Sequence, residues 1–325
     1  MIVPDYWAEA RRQHKTPDRQ ITVRRFGWSM LDEADALSMA AHRADDALQR
    51  LVSGEKLARS ERKLAYNGAD GVPIREEVLS RHGEEVITRN AYGAHCLNSP
   101  RALFADVDFK RSTDFKLVLL IFAVLEVCGL AGFGDGSWGL ALGLTFVSFL
   151  LAYPAAVLVQ RLMLDAQGGA EQLAYTRIVA FVKSRPTWSV RLYRTPAGYR
   201  LLATHQAFEA VTEEVQDFFN VVRADPIYVR MCINQRCFRA RLTAKPWRIG
   251  IASHMRPRPG VWPINPERMA ERAEWVSEYE ARASAYAACT YLENIGPEFI
   301  HAELRAVVEL HDRESRALAP DVALA

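Results

Sequence analysis

The chain has 325 residues, 25% of them charged and 50% hydrophobic, the composition of a folded protein with room for one large domain or two average ones. A net charge of +2 excludes no class of partner, but between Arg223 and Arg258 nine Lys or Arg face the single acid Asp225, which makes that segment anion-seeking. Five scattered cysteines, Cys96, Cys128, Cys232, Cys237 and Cys289, are unlike a secreted disulfide framework, and "MIVPDYWAEARRQHK" lacks an apolar signal core, so a reducing compartment is expected and the part before residue 110 should stay where it is made.

In chain order, "QITVRRFGWS" predicts a strand and "LDEADALSMAAHRADDALQRLVSG" an amphipathic helix, with Leu37, Ala41, Ala44, Leu48 and Leu51 on one side and Gly54 as its stop. "YNGADGVP" is turn chemistry. A short helix is expected around "PIREEVLSRHG", followed by strands "EEVITRN" and "RALFADVDF". Between those strands, "NAYGAHCLNSP" reads as a loop, either over a pocket or as a plain connector.

Next comes the apolar stretch. Leu117 to Phe133 carries one charge, Glu126, and Gly139 to Val159 carries none. About 20 apolar residues cross a ~30 Å hydrocarbon core, so the two runs predict a transmembrane helical hairpin, the first run being marginal in length. A buried helix pair is the alternative. Lys110, Arg111 and Lys116 precede the hairpin and Arg161 closes it, whereas the turn holds only Asp135, which places both flanks in the cytoplasm. Glu126 near the middle of a span is a functional candidate, or a protonated acid bonded to Thr145, to Ser148 or to its copy in a dimer. Gly139 and Gly143 form a small-xxx-small face suited to close packing.

After the hairpin, "AEQLAYTRIVAFVKS" predicts a helix, "WSVRLYR" and "GYRLLATH" two strands, "FEAVTEEVQDFFNVV" a helix and "CFRARLTA" a strand. The tail predicts two helices, within "PERMAERAEWVSEYEARASAYAACTYLENIG" and "EFIHAELRAVVELHDRESRA". "HGEE" and "LHDRE" read as ordinary surface polar clusters, and Cys232, Cys237 and His254 as buried thiols or a poorly spaced metal set.

In "FADVDF" the period of two sets Asp106 and Asp108 on one strand face, where paired carboxylates can hold a divalent cation against phosphate. Arg239 and Arg241 likewise share a face, opposite Phe238, Ala240 and Leu242. Those arginines suit phosphate, anionic lipid headgroups or plain solvent. With the hairpin removed, the order from about residue 85 to 250 resembles the catalytic core of archaeo-eukaryotic primases and primase-polymerases. That resemblance implies a metal pair at Asp106 and Asp108, a turn glycine at Gly198, a third acid at Asp225, and phosphate contacts from Arg239, Arg241 and Lys245. It departs where the family's nucleotide-binding His falls at or beside Arg200, an arginine that can clamp phosphate but cannot titrate near neutrality; His205 lies five residues further on.

The expectation is an α+β protein: a mixed-sheet, primase-like cytoplasmic body from residues 1–110 and 164–258, a hairpin over 115–163 and a helical tail over 259–325. It belongs in a bacterial inner membrane with both termini cytoplasmic. Magnesium or manganese would serve as cofactor, and membrane lipid, a nucleotide or nucleic acid, and a second copy through the hairpin as partners, with nucleotidyl transfer the reaction in view. A non-catalytic integral membrane interaction or scaffold module is the competing reading, and a cytoplasmic cap on an oligomer built through the hairpin is a third.

Overall fold

A computed structural model describes residues 3–61, 72–109, 113–132, 138–258 and 260–325. The predicted turns at "YNGADG" and "GDGS", together with Lys110 and Arg111, fall wholly or mostly outside those residues. Two compact units result, Met1–Val107 with Val182–Ala325, and Asp108–Phe181. The class is α+β, with eight α-helices and several small sheets among the described residues.

In the first unit, β1 (Tyr6–Lys15) and β2 (Gln20–Ser29) form an antiparallel hairpin under α1 (Glu33–Val52). The sequence reading missed β1. Asp32 caps α1 by accepting from Asp35 N at 2.7 Å. The buried stripe of α1 is Ala36, Ala40, Ala44, Ala47 and Leu51, one position off the expected face, and Leu37 is exposed. The cause is close approach: a Cβ on Gly27 of β2 would lie 2.1 Å from Ala36 O and 2.3 Å from Ala40 N, so only small residues fit between helix and strand.

A four-stranded sheet of order β3-β4-β5-β9 follows, from β3 (Glu77–His82), β4 (Glu85–Arg89), β5 (His95–Ser99) and β9 (Phe238–Arg241). The helix expected over residues 73–83 is instead the edge strand β3, and part of the expected loop over 90–100 is β5. Gly83, at φ 64°, makes the tight turn that folds β3 back on β4, so a hairpin ladder overrides the helical spacing of "PIREEVLSRH". Glu77 on β3 pairs with Arg89 and Arg272 at 3.1 and 2.7 Å.

The second four-stranded sheet has the order β11-β7-β8-β6, from β6 (Phe104–Asp108), β7 (Val190–Arg194), β8 (Gly198–Ala203) and β11 (Thr290–Ile295). Strands from before and after the apolar stretch therefore pair twice, β5 with β9 and β6 with β8. One continuous sheet was expected. Two form because Ser99 Oγ accepts from Arg101 N and Ala102 N, at 3.2 and 2.8 Å, and turns the chain out of the first sheet before β6 begins.

The second unit holds α2 (Phe115–Gly132) and α3 (Trp138–Ala166), packed on each other, and most of α4 (Gly169–Lys183). Gly129 of α2 meets Leu144 of α3, whereas Gly143 faces open space within the chain. Among the described residues, one helical segment, the 26 residues Ala141–Ala166, is long and apolar enough to cross a membrane.

The first unit is completed by α5 (Glu213–Val222), α6 (Pro226–Gln235), α7 (Met269–Ala283) and α8 (Arg305–Glu314), with β10 (Tyr286–Ala287) pairing in parallel with β12 (Ala323–Leu324). The first tail helix stops at Ala283, and residues 290–295, at the end of the segment expected to hold it, join β7 as β11. An aromatic chain through Trp188, Phe218, Phe219 and Phe238 fills the core, with ring centroids 5.2 to 6.5 Å apart.

Candidate functional site

β8 is an inner strand with every residue buried, and a charge there must be neutralised within the protein. Arg200 on β8 is 2% exposed. Its Nε donates to Asp106 Oδ1 at 2.9 Å, its Nη2 to Asp106 Oδ2 at 3.3 Å and its Nη1 to the carbonyl of Arg241 at 2.7 Å. Both oxygens of Asp106 are thus held in a bidentate fork from the neighbouring strand. The guanidinium stays charged well above its ordinary range: burial works against it, but the adjacent Asp106 carboxylate outweighs that effect.

Asp225 N donates to Asp106 O at 2.9 Å, which ties the start of α6 to β6. Its carboxylate caps α6, Oδ1 accepting from Ile227 N at 3.0 Å. Asp106, Arg200, Arg241 and Asp225 therefore meet, two of them through backbone atoms. Asp108, the last residue of β6, is exposed.

Arg239 goes elsewhere. It is buried, and its Nη2 donates to Glu76 Oε2 at 2.5 Å, while Thr88 Oγ1 donates to the same oxygen at 2.7 Å. The cavity beside this pair, lined also by Asn98, Gln235 and Cys237, measures about 20 Å³. That is room for roughly one water molecule. Arg241 Nη1 donates to Thr243 O at 2.5 Å, and Lys245 Nζ stands 5.5 Å from the ring of the exposed Trp247. His205 packs on Trp188 with centroids 4.5 Å apart and accepts from Ser189 N at 3.4 Å; burial lowers its pKa.

Glu126 in α2 accepts from Thr145 Oγ1 of α3 at 3.0 Å, and its other oxygen is buried with no hydrogen-bond partner in the chain. This is one of the partners expected for it.

Sequence reading missed the cluster around Cys289, which lies between β10 and β11. The first half of "LHDRE" is interior, since His311 has no exposed surface and Asp312 is buried, while Arg313 is exposed. His311 Nε2 is 3.8 Å from Cys289 Sγ, and His311 Nδ1 is 3.0 Å from Asp312 Oδ1. Tyr193 OH and Arg191 Nη2, both from β7, donate to Asp312 at 2.8 and 2.6 Å. A detectable signal was the placement of His311 one turn after Val307 and Val308 on the apolar face of α8. Burial pushes the Asp312 carboxyl up, yet the hydrogen bonds from His311 and Tyr193 and the charge of Arg191 hold it below its usual range. Burial alone would lower the pKa of His311, and the facing Cys289 sulfur and Asp312 raise it.

Cys232 and Cys237 are buried thiols whose pKa values rise with burial, that of Cys237 to about 11, and His254 is exposed. No family model matches the chain, and no curated protein or solved structure matches it.

Proposed function

We propose that the chain is a membrane-anchored α+β module that acts by engaging a partner and carries out no nucleotidyl transfer. The observation that supports it is the apolar surface of the second unit, where Leu120, Val124, Phe146, Phe149, Leu150 and Leu158 are exposed on α2 and α3. Side chains of that size each lose about 1.5–3 kcal/mol when left in water, so a surface built from them needs a cover. Hydrocarbon supplies one. At ~1.5 Å per residue, Ala141–Ala166 reaches about 39 Å, enough to cross a bilayer, and the 18 residues of α2 reach about 27 Å, close to the hydrocarbon thickness.

The non-catalytic half of the proposal draws on the pairing inside the body. A metal at Asp106 would have to compete with Arg200, a buried cation that already neutralises the carboxylate and donates to both of its oxygens. Arg239, the arginine meant for phosphate, is matched by Glu76 beside a space of water size.

Two experiments test the two halves. Reporter fusions at residue 136 and at the C-terminus should report opposite sides of the membrane, and the protein should stay in the membrane fraction through an alkaline carbonate wash. Release by that wash, or the same side for both reporters, would overturn the anchoring. A magnesium- and manganese-dependent nucleotide-binding screen on the detergent-solubilised chain should be negative; binding lost on Asp106→Asn and Asp108→Asn together would restore the metal reading.

A further inference from the structure

The cluster at Cys289 has the order of an activated nucleophile: a sulfur facing an imidazole, and that imidazole oriented by a carboxylate whose own two oxygens are tied down. Asp312 fixes the His311 ring by taking Nδ1, which leaves Nε2 directed at Sγ. Cys289 Sγ also lies within hydrogen-bond reach of Ser315 Oγ, at 3.4 Å. Phe104 and Tyr193 hold the ring flanks, with centroids 5.1 and 4.9 Å from that of His311.

Three other cysteines, Cys96, Cys232 and Cys237, are also buried, so burial alone does not distinguish Cys289. Its neighbours do. Burial raises a thiol pKa, as at Cys232 and Cys237, but at Cys289 the charge and hydrogen bond of His311, then the charge of Arg200 and the hydroxyl of Ser315, outweigh burial and hold the thiol below its ordinary value.

We infer that Cys289 is a peroxide-reactive thiolate, with His311 and Asp312 as the groups that charge and orient it. The thiolate attacks one peroxide oxygen, the S–O bond forms as the O–O bond breaks, and the departing hydroxide takes the Nε2 proton of His311 and leaves as water. Sulfur is oxidised by two electrons to the sulfenic acid and the peroxide is reduced by two. The backbone around Cys289 is fastened to the C-terminal segment by Ala288 N to Ser315 O, Tyr291 N to Ala317 O and Ala325 N to Ala287 O, and by the two-residue strands β10 and β12. Cys289 has no exposed surface, so peroxide reaches the sulfur only when that short pairing opens. The site does not depend on membrane anchoring.

The test uses the full chain in detergent, treated with hydrogen peroxide, trapped with dimedone and mapped by mass spectrometry. Cys289 should form the sulfenic adduct at least about tenfold faster than Cys232 and Cys237 in the same molecule. His311→Gln should slow that reaction by at least about tenfold and move the midpoint of the iodoacetamide rate–pH profile of Cys289 upward, leaving alkylation of Cys128 unchanged. If Cys289 reacts no faster than Cys232 and Cys237, or if folded His311→Gln protein reacts as fast as the parent, the cluster is structural and the inference fails. Should His311→Gln not fold, the comparison among cysteines within the unaltered protein decides alone.

Discussion

Asp106→Asn separates a structural ion pair from a metal ligand, because the two roles predict different effects on stability. Arg200 has 2% of its surface exposed and its three hydrogen bonds go to Asp106 and to one carbonyl. Asn keeps one acceptor oxygen and removes the charge, so the guanidinium stays in the core without its counterion. Removing one partner of a buried pair costs about 3–5 kcal/mol. Asp106 keeps 32% of its side-chain surface in solvent, and screening there places the expected loss at the lower end, about 3 kcal/mol. With a urea slope of ~3 kcal/mol/M for a body of this size, the midpoint should fall by about 1 M. The assay is urea unfolding in detergent at pH 7.5, followed by the fluorescence of the chain's seven tryptophans, buried Trp188 and Trp275 among them. Adding Arg200→Met to Asp106→Asn should recover part of the loss, since the orphaned charge goes with it. An Asp106→Asn protein as stable as the parent, or more stable, would refute the reasoning, because relief of repulsion between Asp106 and Asp108 is what an empty metal pair predicts.

Two further outcomes follow from other parts of the body. Glu85 Oε1 accepts from Ser99 Oγ, but Oε2 is buried with no hydrogen-bond partner, and burial raises its pKa to about 7. An acid with a raised folded pKa stabilises the fold below its unfolded value near 4, and that contribution is lost as pH rises through about 7. The stability gain from Glu85→Gln should therefore grow by about 2 kcal/mol between pH 5 and pH 8 in urea titrations, and a pH-independent difference would show that Glu85 ionises freely. Gly27→Ala should cost about 3 kcal/mol or more, because its Cβ would press on the backbone of α1 at Ala36 and Ala40; proteolysis starting within β1 to α1 would report it, and unchanged protease resistance would mean the helix shifts without cost.

Local chemistry was enough for the elements whose determinants lie within the segment. The apolar runs gave α2 and α3, alternation gave β6 and β7, and the Thr145 partner of Glu126 was readable from two facing helices. Arg200 was singled out from the sequence, but as a phosphate clamp. Only the tertiary structure made it a buried counterion, because the register of β8 against β6 sets its guanidinium on Asp106, and pairing across 94 residues leaves no mark in either segment. The same holds for Arg239, also read as a phosphate contact, with Glu76, and for Cys289 with His311, where Glu76, Cys289 and His311 alone read as ordinary residues. β3 escaped because the spacing of "PIREEVLSRHG" carries a helical signal that its hairpin to β4 overrides, and β5 and β11 because their ladders to β9 and β7 are nonlocal. The sequence determined which segments are apolar, amphipathic or alternating, since those properties are local sums over side chains. Which charges neutralise Arg200, Arg239 and Arg191 in the core, and that an imidazole faces a sulfur there, was decided by long-range packing.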